Sequence, residues 1–216
     1  MNDTTSREQI LKRVRSAGMQ KAPNSYSDID LEKNIYHNLE DDLEVVFAEE
    51  FTQIGGQFVY CQDINELSKN LKELFYSKNW EEIYTKSPAI EKLLSNMGID
   101  AITQVDEYSK VMVSITECEA LVARLGSIMV SSKQITGRRL NFIPDTHIVI
   151  ANLNQLVETV KDAMLFLDKK YEKHLPSMTT LITGPSRTAD IEKTLVMGAH
   201  GPRNLIVFLT EENFLS

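Results

Sequence analysis

Residues 180–209, TLITGPSRTADIEKTLVMGAHGPRNLIVFL, carry the pattern that decides the predicted fold. An apolar run leads into Gly184-Pro185, then into a segment with helical spacing up to Met197, a second glycine turn and a final apolar run at 204–210. An order of strand, helix and strand is typical of a parallel sheet, and a continuous run such as LIVFL suits a strand buried on both faces. We therefore predict a βαβ unit whose helix begins near Arg187.

Alternating strand and helix patterns extend from this unit toward the N-terminus. Strands are predicted at 57–61, 80–84, 111–115, 125–130, 146–151 and 179–183, and helices at 7–17, 43–54, 63–75, 89–96, 116–123 and 152–167. This alternation predicts an α/β fold of three layers, in which helices flank a mostly parallel sheet. Because residues 20–38 are polar and contain a proline, we expect an N-terminal helix and polar arm at 1–38 and the α/β domain at 39–216.

Short capping motifs predict where three of the helices begin. Ser6 and Gln9 have the spacing of a capping box, in which a hydroxyl and a side-chain amide satisfy two exposed backbone amides. Asp63 and Glu66 repeat that spacing, and Ser87 precedes a proline that fits the first helical position.

Composition excludes several classes of function. The chain has 31 acidic and 23 basic residues and a formal net charge of −8 without a basic face, which argues against nucleic-acid binding. Its two cysteines, Cys61 and Cys118, lie far apart without a CxxC motif, so we expect reduced thiols, no bound metal and no cofactor. The N-terminus lacks an apolar signal segment, and the longest strictly aliphatic or aromatic run is Leu205 to Leu209, so a cytoplasmic location without a membrane span is expected.

The turn after residue 183 is the first candidate site. In an open parallel sheet, ligands bind beyond the carboxyl ends of the strands, where helix N-termini expose unpaired amides. Gly184 allows a tight turn, Ser186 and Thr188 offer hydroxyls, and Arg187 offers a fork that matches a carboxylate or phosphate. The alternative is purely structural, with Ser186 and Thr188 capping the helix and Arg187 paired with Asp190; the local density of polar residues favours the anion site slightly.

Two further candidates lie elsewhere in the predicted sheet. Thr116 and Glu119 follow a strand on the same predicted edge as Gly184, where Glu119 is either a capping-box acceptor or an active-site carboxylate. His200 follows the predicted helix, so it is expected near the amino end of the last strand, across the sheet from Gly184; a loop histidine of this kind is more often structural than catalytic.

The loop Thr136-Gly137-Arg138-Arg139 is the last candidate. Adjacent arginines beside a glycine can bind an anion, so Gly137 and Arg138 are candidate ligand-binding residues. Two surface arginines in a loop are nevertheless more often simply solvated.

These residues together resemble the lactate-utilization protein C family, the LUD domain. The resemblance rests on GPSRTADIE at 184–192 and GAHGP at 198–202, and it extends back to Gly55-Gly56 through Gly137-Arg138-Arg139, Pro144, His147-Ile148 and 116–127. It implies a fold similar to the ribose-5-phosphate isomerase and CoA-transferase group. It also implies a component of a cytoplasmic L-lactate to pyruvate oxidation system, the subunit without iron–sulfur clusters, which binds a small carboxylate or phosphate beside iron–sulfur partner proteins.

Some residues depart from the family pattern. Where many members have Thr-Gly-Ala-Asp and Ala-Glu-Thr-Gly, this chain has TECE at 116–119 and ARLG at 123–126, so Arg124 replaces an acidic residue. Acyl-CoA transfer needs a nucleophilic carboxylate, and the replacement disfavours that chemistry. The alternative function, a stand-alone enzyme of the isomerase and CoA-transferase-like group acting on a sugar phosphate or acyl-CoA, stays open, as do catalysis by the chain itself and homo-oligomer formation.

Overall fold

The computed structural model of the chain describes residues 5–19, 36–189, 195–198 and 200–213. The chain divides into two compact units, 1–38 and 39–216. The helices are α1 (Ser6–Met19), α2 (Leu43–Gln53), α3 (Ile64–Lys78), α4 (Pro88–Asn96), α5 (Arg139–Phe142) and α6 (Val160–Lys170). The strands are β1 (Gln57–Cys61), β2 (Ile83–Tyr84), β3 (Val113–Glu117), β4 (Ala120–Val122), β5 (Ser127–Ser131), β6 (Thr146–Asn152), β7 (Leu156–Val157), β8 (Thr179–Ile182), β9 (Arg187–Ala189), β10 (Leu195–Met197) and β11 (Asn204–Thr210).

In the first unit, α1 begins with a reciprocal cap one residue earlier than the sequence predicted. The backbone amide of Thr5 donates to Glu8 Oε2 at 3.0 Å, and the amide of Glu8 donates to Thr5 Oγ1 at 3.4 Å. None of the helices that the structure describes is long and apolar enough to cross a membrane.

The second unit is built on a five-stranded parallel sheet in the order β1-β11-β6-β3-β2. The predicted α/β class with a parallel sheet and helices is confirmed. One face of this sheet packs on α3 and α4 through a buried apolar cluster that includes Leu67, Leu71, Phe75, Ile90, Leu94, Ile115, Ile148, Ile150, Ile206 and Phe208. Alternation along each strand turns the neighbouring residues to the other face.

A second sheet, in the order β7-β4-β5-β8, covers that other face together with α2. In it β5 runs antiparallel to both β4 and β8, while β4 and β7 are parallel. The cluster between the sheets includes Phe47, Phe51, Leu121, Ile128, Val130, Val149, Ala151, Val207 and Leu209. Because α6 packs on the outer side of the second sheet, β4 is buried from both sides.

Two of the predicted helix starts are confirmed by side-chain caps. Asp63 Oδ1 accepts from the amide of Glu66 at 2.8 Å at the start of α3. At α4, Ser87 Oγ accepts from the amide of Ile90 at 3.3 Å, and Pro88 occupies the first turn.

Two predicted helices are replaced by strands where the structure describes them, and a third begins later than predicted. Residues 116–123 continue β3 and form β4, since Ala120–Val122 is apolar on both sides and lies between two cores. The helix predicted at 152–167 begins only at Val160, after a 3-10 turn and the short β7. The helix predicted from Arg187 to Met197 is absent where the structure describes this segment, because β9 and β10 pair antiparallel there; residues 190–194 lie outside the described part.

Candidate functional site

The Gly184 turn lies beside the turn that precedes β11. The amide of Ser186 donates to the Pro202 carbonyl at 2.8 Å, and the amide of Gly198 donates to the Ser186 carbonyl at 3.0 Å. The prediction that these turns lie on opposite sides of the sheet is therefore wrong. It assumed that β8 runs parallel to β11, whereas β8 belongs to the second sheet and runs antiparallel to β5.

The donors of this turn are used within the protein. Arg187 Nη2 donates to the carbonyl of Ile54 at 2.5 Å, just beyond the C-terminus of α2. Gly184 has φ +80°, and a Cβ there would lie 2.8 Å from the same Ile54 oxygen. In the described part of this segment Arg187–Ala189 is a strand and the Ser186 amide has an internal partner, so the helix N-terminus on which the predicted anion site relied is not found there. The turn instead fixes the end of α2.

The predicted anion site also included Thr188 and His200, and its structural alternative included Asp190. The side chain of Thr188 is outside the described part of the chain, and so is Asp190, the predicted partner of Arg187. His200 is described and is exposed.

Glu119 is the centre of a buried network between β4, β5 and α6. Its side chain is 0% exposed and accepts from Ser131 Oγ at 2.5 Å, Tyr171 Oη at 2.7 Å and Lys170 Nζ at 2.7 Å. Burial and the hydrogen bond to Glu119 raise the pKa of Tyr171 to about 12. The capping-box role predicted for Glu119 is wrong, because its backbone amide donates to Met129 in the second sheet.

Glu119 and Gly184 do not share an edge, contrary to the prediction. Glu119 bonds with Ser131 at the carboxyl end of β5, whereas Thr183, next to Gly184, bonds with Ser127 at its amino end at 2.8 Å. The two candidates therefore belong to different regions of the molecule.

Thr116 forms a buried pair with a histidine that was not a candidate from the sequence. Thr116 Oγ1 lies 2.8 Å from His147 Nε2, and both residues are 0% exposed. Burial lowers the pKa of His147 to about 3, so the ring is neutral near pH 7. His147 Nδ1 has no hydrogen-bond partner among the described residues. The sequence signal was a lone imidazole in the apolar strand THIVIAN. His147 precedes Val149 and Ala151 by two and four residues, so it lies on the same face of β6, toward the second sheet.

The β5–β6 loop (132–145), which includes α5, lies along β3. Gln134 Nε2 donates to the carbonyl of Glu117 at 3.0 Å, and Ser114 Oγ donates to the carbonyl of Leu140 at 2.6 Å. Between and beside these anchors, Thr136 Oγ1 and Asn141 Oδ1 are buried and have no partner among the described residues. The loop, which contacts β3 through Gln134 and Leu140, thus carries two more unpaired polar atoms.

Cationic side chains gather at Tyr108, at the outer side of this loop. Lys86 Nζ donates to Tyr108 Oη at 2.9 Å and lies 5.6 Å from the centre of its ring, and Arg139 Cζ lies 5.0 Å from the same centre. Within the described part of the chain, neither cation forms an ion pair with a carboxylate. Gly137 turns the loop with φ +67°, and Arg138 extends to Met178 Sδ at 3.6 Å and is exposed.

The remaining ionic and thiol groups have local explanations. Arg124, which departs from the family pattern, pairs with Glu158 at 2.6 Å. Cys61 and Cys118 are buried and free, and burial raises the pKa of both thiols. No group of three or more His, Cys, Asp or Glu side chains that could hold a metal ion occurs in the described ranges.

Comparisons with known proteins converge on one family. The family model of the LUD domain matches residues 102–210. Proteins called Lactate utilization protein C from Geobacillus kaustophilus and Geobacillus thermodenitrificans are 34% and 31% identical to this chain, each over 68% of the chain and 60% of the relative. The chain therefore spans about 60% of the length of these curated relatives.

Solved structures include a similar fold. The crystal structure of a DUF162 family protein from Deinococcus radiodurans matches with a TM-score of 0.61 at 21% identity, over 78% of this chain and 96% of that one. At this identity the match shows the fold alone. The segment matched by the family model contains Thr116, the β5–β6 loop and His147.

Proposed function

The chain belongs to the LUD domain family, and from this membership we propose that it is the component without iron–sulfur clusters of a cytoplasmic system that oxidises L-lactate to pyruvate. The observation that carries the proposal is the similarity to proteins called Lactate utilization protein C over 68% of the chain. An iron–sulfur cluster is usually held by four cysteine thiolates, and these 216 residues contain two cysteines. Electron transfer through clusters is therefore assigned to partner proteins.

We place the binding site for a small carboxylate at Lys86, Arg139 and Tyr108. Two cations beside one tyrosine repel each other, an anion between them relieves the repulsion, and an arginine fork matches a carboxylate in two hydrogen bonds. Neither cation has an acidic partner in the described part of the chain, so both charges are available to a ligand. Gly137 and Arg138 lie in the same loop, and we keep them as candidates.

The Gly184 turn supports this proposal less well than the loop does. Arg187 already donates to Ile54, and the Ser186 amide already donates to Pro202. A ligand there could use only the remaining donors of Arg187, and it would have to displace Pro202 to reach the Ser186 amide.

Purification from cells at native expression tests the assembly. A tagged chain should recover iron–sulfur proteins, whose brown colour and iron content can be measured. Recovery of the chain alone, under conditions that preserve known complexes of the same cells, would contradict the proposed place in an assembly.

Calorimetry tests the ligand site. L-lactate and pyruvate should bind the unmodified chain, and the double variant Lys86→Gln/Arg139→Gln should weaken both by about 1.5–3 kcal/mol for each charged hydrogen bond lost. The matched control, Lys69→Gln/Lys92→Gln, also removes two positive charges, but from exposed positions of α3 and α4. Equal affinity for L-lactate and pyruvate in both double variants would show that the ligand does not bind at Lys86 and Arg139.

The alternative of a stand-alone sugar-phosphate or acyl-CoA enzyme has less support. Both oxygens of Glu119 accept from internal groups, so this carboxylate does not serve as a free nucleophile. Turnover of a sugar phosphate or an acyl-CoA by the purified chain would reverse this preference.

A further inference from the structure

Three buried polar atoms on the side of β3 that faces the β5–β6 loop lack partners. They are Thr136 Oγ1, Asn141 Oδ1 and His147 Nδ1, and their residues are at most 2% exposed. The large majority of buried side-chain polar atoms in native proteins are hydrogen-bonded to protein or ordered water, because an unpaired one loses its hydration without compensation. Three such atoms around one loop therefore need an explanation.

Hydrogen bonds to β3 hold His147 itself and the chain neighbours of Thr136 and Asn141. Ser114 and Thr116 share a face of β3, since side chains two residues apart point the same way. Ser114 holds Leu140, the neighbour of Asn141, and Thr116 holds His147. Thr136 lies in the segment between Gln134, which is bonded to Glu117, and Leu140, so it too runs beside β3.

The region carries no net charge. Thr116, Thr136 and Asn141 are neutral, and burial lowers the pKa of His147 to about 3, which keeps the imidazole neutral. A carboxylate enclosed among these groups would lose its hydration without gaining an opposite charge, which is costly. A ligand group that binds these atoms is therefore uncharged.

The available donors and acceptors specify a hydroxyl group. Asn141 Oδ1 only accepts, whereas Thr136 Oγ1 either donates or accepts. His147 Nδ1 donates when the Thr116 hydroxyl donates to Nε2, and it accepts in the opposite tautomer. A hydroxyl donates one hydrogen bond and accepts two, which matches one acceptor, Asn141, and two donors, Thr136 and His147.

We infer that Thr136, Asn141 and His147 form a closed site beneath the β5–β6 loop that binds the hydroxyl group of a small ligand. The hydroxyl belongs either to a neutral alcohol or to the uncharged end of a 2-hydroxy acid. In the second case the inference rests on the proposed function, with the carboxylate at Lys86 and Arg139, and Arg139 lies two residues before Asn141 in α5. In the first case it stands without the proposed function.

Imidazole NMR distinguishes these sources. The chain has four histidines, so ¹⁵N-histidine labelling gives few ring signals, and His147→Gln identifies the one that matters. The probes are L-lactate, propionate, which has the carboxylate but lacks the hydroxyl, and 1,2-propanediol, which has hydroxyls but no charge. His174, which is exposed and bonded to the carbonyl of Glu172, is the internal control.

Each pattern of shifts decides the inference. Shifts of the His147 ring signals by L-lactate or 1,2-propanediol, with no shift by propionate, support it. A response to 1,2-propanediol but not to L-lactate supports the site for a neutral alcohol, and calorimetry with L-lactate then decides the proposed function separately. The inference is overturned if none of the three probes shifts the His147 ring signals, or if propionate and L-lactate shift them equally. If the His147 ring signals do not shift while calorimetry still detects binding of L-lactate, the inference is overturned and the proposed function stands.

Two variants separate binding from folding. Thr136→Val removes an unpaired hydroxyl at nearly constant volume, so it should raise or preserve the melting temperature while lowering affinity for the shifting probe by up to about tenfold. Ser114→Ala removes a hydroxyl that is already bonded to Leu140, so it should lower the melting temperature. If Thr136→Val lowers the melting temperature as Ser114→Ala does and leaves affinity unchanged, the inference is overturned.

Discussion

Two buried polar clusters flank the β5–β6 loop, and they differ in one respect. Around Glu119, three donors from Ser131, Lys170 and Tyr171 converge on two carboxylate oxygens at 2.5–2.7 Å. Around His147, only the Nε2 atom has a partner, and atoms of Thr136 and Asn141 are also unpaired in the described part of the chain. A complete network serves stability, whereas an incomplete one leaves hydrogen-bonding capacity for a ligand.

The largest expected effect comes from breaking the complete cluster. Glu119→Ala leaves two hydroxyls and an ammonium without their acceptor and opens a cavity, so we expect a loss of about 3–5 kcal/mol in the free energy of unfolding. Urea denaturation at pH 7 measures it. The control Glu158→Ala breaks a more exposed ion pair with Arg124 and should cost less than about 1 kcal/mol. Similar losses in the two variants would show that burial of Glu119 does not distinguish the clusters.

The incomplete cluster around His147 should make the free energy of unfolding depend on pH. In the unfolded chain His147 takes up a proton near pH 6.5, whereas in the folded chain it stays neutral down to about pH 3. Between these values the unfolded chain binds more protons, so the free energy of unfolding falls as pH is lowered, by about 1.4 kcal/mol per pH unit. Above pH 6.5 this contribution disappears.

Denaturation curves at pH 7 and pH 5 measure this dependence. His147→Gln should flatten it relative to the unmodified chain, and the same substitution at the exposed His174 is the matched control. Since carboxylates add the same acid dependence to all three proteins, only the differences count. Parallel dependence in the unmodified chain and His147→Gln would contradict the buried, neutral imidazole.

Local patterns predicted much of the fold because they act over a few residues. The apolar run at 204–210 and the caps at Asp63 and Ser87 were recognisable without knowledge of any partner strand. Assignment of β8 to the second sheet depends on pairing with β5, about fifty residues earlier, which local spacing does not encode. The three-residue strands β9 and β10 likewise depend on each other rather than on intrinsic propensity.

The candidate site was less predictable for the same reason. Thr116, Gly137 and Arg138 were candidates from the sequence, but Lys86, Asn141 and His147 matter only through contacts made by folding. Arg187 looked free beside a glycine turn, yet its acceptor, Ile54, lies 133 residues away in the chain. Sequence motifs therefore indicated which side chains are polar, and the fold determined which of them are satisfied.

A smaller effect is expected at the Gly184 turn. Unlike the unpaired atoms of the β5–β6 loop, donors of Ser186 and Arg187 in this turn bond to Pro202 and Ile54. Gly184→Ala introduces a Cβ at φ +80° and 2.8 Å from the Ile54 oxygen, so stability should fall by about 1–3 kcal/mol. Thermal denaturation checks this, with Gly98→Ala as control, because Gly98 also has positive φ but has no atom within 4 Å of the added Cβ. Equal losses in Gly184→Ala and Gly98→Ala would mean that backbone strain alone, rather than the close contact with the Ile54 oxygen, explains the effect.

The smallest effect is expected from Arg187. Its guanidinium is exposed and caps one carbonyl, so Arg187→Gln should cost about 1 kcal/mol of stability. Chemical denaturation measures the loss, and Lys69→Gln, at an exposed position of α3, serves as a control for removal of one positive charge. A cost below the error of the measurement would show that the Ile54 contact contributes nothing to the fold.

The most direct test compares Arg139→Gln with Arg187→Gln in calorimetric titrations with L-lactate. If the ligand binds at the β5–β6 loop, Arg139→Gln weakens binding about tenfold or more and Arg187→Gln leaves the dissociation constant unchanged. If Arg187→Gln weakens binding and Arg139→Gln does not, the ligand binds at the Gly184 turn and the assignment to the loop is wrong.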